Sequence, residues 1–75
     1  MNIIEAFQNA ENGKPIRNGL MKTLDRHLEY VAEGLFNEYE LIHGEKAFQF
    51  ERRHFSMGEI LRIDWEVVNK TLIRK

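Results

Sequence analysis

Two runs of alternating side chains meet at one glycine-bearing turn in mid-sequence, and this feature does most to limit the fold. Before the turn, Leu35, Tyr39 and Leu41 alternate with Glu38 and Glu40; after it, Phe48, Phe50 and Arg52 alternate with Gln49, Glu51 and Arg53. A period of two belongs to a strand with one buried face. His43-Gly44-Glu45-Lys46 supplies turn chemistry between them, so the segment reads as a β-hairpin, 35–42 with 47–53.

The ends of the chain carry helix signals. Ile3, Ile4, Phe7 and Ala10 fall at helical spacing, Asn2 is placed as an N-cap, and Glu5 three residues on completes a capping box. Gly13 follows the last periodic residue, where a left-handed glycine stops a helix. Pro15 then fixes its own φ and biases Lys14 away from helix, so Lys14-Pro15-Ile16-Arg17 reads as the start of a strand or an edge strand. Towards the other end, Ser56 and Glu59 form a second capping pair ahead of a short helix over 57–62. Trp65 and Val67 alternate with Glu66 and Val68 in a closing strand over 64–69, with Leu72-Ile73 as a possible extension. Residues 18–35 support two readings. Leu20, Leu24, Leu28, Val31 and Leu35 form a helical stripe, which predicts a helix over 20–33. Leu28, Tyr30 and Ala32 also alternate with Glu29, Val31 and Glu33, as a strand would. The fold class is α+β: an N-terminal helix, an antiparallel sheet with a hairpin, and a short helix before the closing strand, all in one domain over 1–75.

Composition removes several function classes. There is no cysteine, which excludes a disulfide-stapled scaffold and any thiolate metal or cluster site and fits a cytoplasmic setting. Eleven basic residues face twelve acidic ones, and this balance argues against direct nucleic-acid binding. No apolar run approaches the roughly 20 residues of a membrane span, and no basic-then-apolar leader opens the chain. With 75 residues and no staple, one core has little room for Phe36, Phe48, Phe50, Phe55 and Trp65 together, so a homo-oligomer is expected.

No catalytic constellation is visible. His27, His43 and His54 lie 16 and 11 residues apart, never at the i, i+4 spacing that puts two ligands on one helix face, so no metal site is assigned. Ser56 is a cap with no glycine elbow around it. No cofactor motif is present either, since Gly13-Lys14 follows a helix and falls far short of a phosphate loop. What the sequence offers is binding chemistry. Lys14 and Arg17 can pair with a pyrophosphate, while Tyr30, Tyr39 and Trp65 can stack on a base, although Trp65 is better read as a core anchor. Residues 29–45 carry Glu29, Glu33, Glu38, Glu40 and Glu45 with no Lys or Arg, whereas 46–54 carry Lys46, Arg52 and Arg53 against Glu51. Such an acidic run imitates nucleic-acid phosphates and suits a protein-binding surface aimed at a basic groove.

Two blocks, Ile4-Glu5-Ala6-Phe7 through Asn12-Gly13-Lys14-Pro15-Ile16-Arg17 and Phe55-Ser56-Met57-Gly58-Glu59-Ile60-Leu61-Arg62-Ile63-Asp64-Trp65-Glu66-Val67-Val68, resemble the start and end of small phage and prophage proteins. The family is the second-type Thoeris anti-defence family. The resemblance implies a non-enzymatic oligomer that sequesters a cyclic ADP-ribose-type immune signal in the cytoplasm of an infected or lysogenic bacterium. It also makes 28–32 a strand, against the helical stripe. The expected partner is therefore a nucleotide-type small molecule. The alternative is a host defence protein, such as a CRISPR nuclease, bound through an acidic or aromatic patch.

Overall fold

The computed structural model describes residues 1–68 of the chain. Helix α1 spans Ile3–Glu11 and opens with the expected box: Asn2 Oδ1 accepts from Glu5 N at 2.9 Å, and Glu5 Oε1 accepts from Asn2 N at 3.1 Å. Gly13 ends it at φ +89°, where its N–H reaches Ala10 O at 2.9 Å and the Lys14 N–H reaches Asn9 O at 3.2 Å. This pair of bonds is a Schellman closure, and the left-handed φ is what requires glycine there. Ala6 and Ala10 are the buried side of α1, small enough for the helix to lie close on the sheet.

Strand β1 is only Ile16–Arg17 and starts right after Pro15. A short helix, α2, Gly19–Thr23, follows, with buried Asn18 as its cap (Oδ1 accepting from Met21 N at 2.9 Å). Gly19 donates to Asp64 Oδ2 at 3.1 Å, and a Cβ on residue 19 would run into that carboxylate. The helix expected over 20–33 does not form as such. It stops at Thr23, Asp25 turns the chain at φ 56°, and β2 occupies Arg26–Ala32. Leu20, Leu24 and Val31, three members of the helical stripe, are exposed, while Leu28 is buried from within the strand. The sheet can bury Leu28 and Tyr30 on a period of two, and it supplies backbone partners along β2, so tertiary pairing overrides the leucine spacing.

Strands β3, Leu35–Ile42, and β4, Glu45–Arg52, complete a meander with β2. Both connections are two-residue turns with positive φ at both positions: Glu33 (43°) with Gly34 (81°), and His43 (54°) with Gly44 (80°). These are type I′ turns, whose twist matches that of the flanking strands. The hairpin turn is thus tighter than the four residues expected, and β4 starts at Glu45. Helix α3, Met57–Ile60, is shorter than the expected 57–62 but carries the full Ser56/Glu59 box. Strand β5 is Glu66–Val67, and Asn69, Leu72 and Ile73 lie outside the described residues.

The strands form one sheet in the order β4-β3-β2-β1-β5, every neighbouring pair antiparallel. One face carries the core, in which Trp65, Phe36, Ile16 and Leu28 pack with Ala6, Ala10 and Met21. Phe7 lies 4.8 Å from Phe36 and 5.2 Å from Phe55 between ring centroids, and Trp65 Nε1 donates to Glu59 O at 3.1 Å. Two bulges break the alternation. Tyr30 and Ala32 pair with Phe36 and Leu35, leaving Val31 extra; Glu38 and Tyr39 pair with Phe50 and Phe48, leaving Gln49 extra. The second bulge corrects the hairpin reading. Phe48 and Phe50 face opposite sides of the sheet and stay 55% and 45% exposed. The core takes Phe36, Phe55 and Trp65 instead.

Candidate functional site

A cleft of about 330 Å³ opens where β1 is too short to cover β2, lined by Gly13, Lys14, Pro15, Glu29 and Tyr30. Its origin is local. Ile16 pairs with Leu28, so the chain before Pro15 is no longer in register with β2, and the Schellman turn carries it away from the sheet. Tyr30 is fixed at both ends of its side chain: its ring meets Phe36 edge-on at 5.6 Å, and its hydroxyl accepts from Glu33 N at 2.7 Å. Lys14 is exposed and makes no ion pair among the described residues.

Glu29 links this cleft to a polar array on the sheet face opposite the core. His27, 2% exposed, stacks on its cross-strand neighbour Tyr39 with centroids 5.4 Å apart. Its Nε2 lies 2.9 Å from Glu29 Oε2, and Lys46 Nζ reaches the same oxygen at 2.9 Å while sitting 4.6 Å over the Tyr39 ring. Burial disfavours the imidazolium more than Glu29 favours it, so the His27 pKa lies below its ordinary value and the ring is neutral near pH 7. A neutral ring beside a carboxylate must carry its proton on Nε2 and donate it. Burial pushes the Glu29 carboxyl up, but the hydrogen bonds from Lys46 and His27 outweigh it and hold the group below the usual range. On the same face Arg17 Nε pairs with Glu66 Oε2 at 2.6 Å, on the strand next to His27.

The core-side face carries the second charged cluster. Glu38, 4% exposed, lies between Arg26 Nη1 at 3.2 Å and Arg52 Nη1 at 3.1 Å. Arg52 also holds Glu59 at 2.6 Å, Arg26 holds Glu40 at 3.1 Å, and the Arg52 guanidinium stacks 4.4 Å over Phe55. Burial would lower the Arg52 pKa, but Glu59 and Glu38 raise it, so the charge is permanent. This cluster ties α3 to β3 and β4.

The five ligand-binding candidates therefore do not converge. Lys14 and Tyr30 flank one cleft; Arg17 and Tyr39 belong to the opposite-face array, each already engaged. Trp65 is 1% exposed inside the core with no ring face free for a base, which makes it the core anchor. The acidic run is dispersed as well. Glu38 and Glu40 lie on the core-side face, where Arg26 and Arg52 cross from the neighbouring strands to reach them, and Glu29 lies on the other face paired with Lys46, so these three do not form one free acidic surface. Glu33 and Glu45 are exposed, one at each hairpin turn.

His27 and Lys46 were not singled out from sequence as site residues. The signal was present: His27 and Glu29 two apart on a strand share a face, but only once 26–32 is a strand. Among the described residues no group of three His, Cys, Asp or Glu side chains is placed to hold a metal ion. No described helix is long and apolar enough to cross a membrane. In comparisons with known proteins, no family model, curated protein or solved structure matches the chain.

Proposed function

We propose that this protein is a non-enzymatic binding module that sequesters a small nucleotide-type ligand in the cleft between Lys14 and Tyr30. One observation carries the reading: a lysine in no ion pair among the described residues and a fixed aromatic flank a cavity of about 330 Å³, which lies within the roughly 300–1,000 Å³ of small-molecule sites. The Lys14 ammonium pairs with a phosphate of the ligand, the Tyr30 ring packs on its sugar or base, and the Glu29 carboxylate accepts from a ribose hydroxyl. None of these groups is a nucleophile with an adjacent base, so the ligand is held and returned unchanged. With the resemblance to second-type Thoeris anti-defence proteins, the biological role becomes phage counter-defence in the bacterial cytoplasm, by withholding a nucleotide-derived immune signal.

Calorimetric titration with ADP-ribose and with cyclic ADP-ribose tests the proposal. Saturable one-site binding is expected, weakened about tenfold or more in Lys14→Ala, because a hydrogen bond to a charged group contributes about 1.5–3 kcal/mol. Chromatography of the bound fraction should return the ligand intact. Absence of binding at millimolar ligand, or its chemical conversion, overturns the reading.

A protein-binding inhibitor of a host defence nuclease is the second reading. The exposed Phe48 and Phe50 favour its aromatic form, since most of the acidic run is occupied within the chain.

A further inference from the structure

Strand β4 ends the sheet, and among the described residues nothing pairs with its outer edge. Along this eight-residue strand the outward-pointing N–H and C=O groups of alternate residues form a template for another strand, and proteins normally blunt such an edge. The sequence along this edge, Glu45-Lys46-Ala47-Phe48-Gln49-Phe50-Glu51-Arg52, reads as charge-complementary to itself when reversed. We propose that β4 pairs antiparallel with β4 of a second copy of this chain, about a two-fold axis between Phe48 and Gln49, joining two sheets into one. This goes beyond the ligand-binding reading and is independent of it.

The register follows from charge and from the bulge together. The pairing sets Glu45 opposite Arg52 of the second copy and Lys46 opposite its Glu51, each twice by symmetry. Shifting by one residue sets Glu45 against Glu51 in one direction and Lys46 against Arg52 in the other, placing like charges directly opposite. A two-fold axis perpendicular to the sheet keeps every side chain on its own face, so cross-strand partners must share a face. Glu45 and Arg52 are seven residues apart, and in an unbroken strand they would point to opposite sides. Here they do not. Glu45 pairs with Ile42 and Arg52 with Phe36, and those β3 residues share a face; Lys46 and Glu51 likewise pair with Leu41 and Asn37 on the other face. The extra residue at Gln49 is what brings each complementary pair onto one side.

The side chains agree with this placement. Glu45 and Glu51 are exposed and in no ion pair among the described residues, so each is available to a cation from the second copy. Lys46 has three N–H donors and Arg52 five, more than Glu29, Glu38, Glu59 and the His54 carbonyl take up. Phe50, exposed on the core-side face, would lie beside Ala47 of the second copy, and Phe48 on the other face would cover its Gln49. Bulges and edge lysines also serve to keep edges apart, and solution behaviour distinguishes the two uses.

Sedimentation equilibrium of the full chain from micromolar to millimolar concentration is the test. The wild type is expected to dimerise. Glu51→Lys should weaken the dimer by at least about tenfold, because Lys46 then faces a lysine at both symmetric positions. Lys46→Glu should do the same, and mixing these two variants should restore association as a heterodimer, because every pair again has opposite sign. Circular dichroism on each variant verifies the fold. A wild-type monomer throughout the range, a dimer indifferent to Glu51→Lys, or two variants that fail to associate when mixed would each overturn the proposal; a monomer would leave the edge to a strand from another protein.

Discussion

The two faces of the sheet both bury an ionisable group, and they treat it differently. On the core side, Glu38 is bracketed by the guanidinium groups of two arginines, and one of them extends to the capping carboxylate of α3. On the opposite side, His27 is buried neutral, with one carboxylate, one lysine and a tyrosine ring as its company. The first arrangement is a fixed clamp between secondary elements. The second holds a neutral imidazole whose pKa burial has lowered, and it shares Glu29 with the cleft. Stability should therefore be concentrated on the core side, and sensitivity to solution conditions on the other.

The largest expected effect tests the core side. Trp65→Ala should destabilise the fold by about 3–5 kcal/mol, read from urea denaturation, since a fully buried aromatic is removed from a small core. A loss below about 1 kcal/mol would mean that the core face does not carry the fold. Glu38→Gln should cost about 3 kcal/mol, the lower end for breaking a buried pair, because Arg26 and Arg52 each keep a second carboxylate.

The pH dependence tests the other face. The folded pKa of His27 is lowered, so between it and the unfolded value of about 6.5 the unfolded chain binds more protons. Stability should be highest above that value and decline as pH falls from about 6.5 towards the folded pKa. A further decline should begin below about 4.5, where Glu29 and Glu59, both held below their usual range, take up protons more readily when unfolded. His27→Phe keeps the stacking on Tyr39 and should abolish only the first decline. Arg17 on β1, Glu29 on β2 and Lys46 on β4 are the charged groups that face His27, and a slope that persists in the variant would place the titrating group elsewhere. The smallest effect is expected at Lys14, where Lys14→Ala should change stability by less than about 0.5 kcal/mol while weakening the ligand.

Legibility from sequence divides along physical lines. The caps of α1 and α3, the Gly13 stop, the Trp65 anchor and the central hairpin rest on local chemistry and could be read directly. Strand β2 could not, because its leucines also fit a helix and the deciding contribution is pairing with β3. Glu33-Gly34 is a turn of the same kind as His43-Gly44, but Glu is a poor signal for a left-handed position, so the first hairpin was missed. The bulge at Gln49 leaves no mark on an alternating sequence, and with it went the opposite facing of Phe48 and Phe50. Of the candidate site, Lys14 was legible as a cation following a glycine stop. Its meeting with Tyr30, and the burial of His27, follow only once 26–32 is a strand.

On the proposed reading, ligand binding is confined to the cleft beside β2, away from the core that holds the fold. Amide chemical shifts of the isotopically labelled protein, followed during titration with ADP-ribose, test this most directly. Shifts should concentrate at Gly13, Lys14, Glu29 and Tyr30 and saturate together, with the amide of Trp65 little moved. Shifts that centre instead on β4 or α3, or no shifts at millimolar ligand, would contradict it.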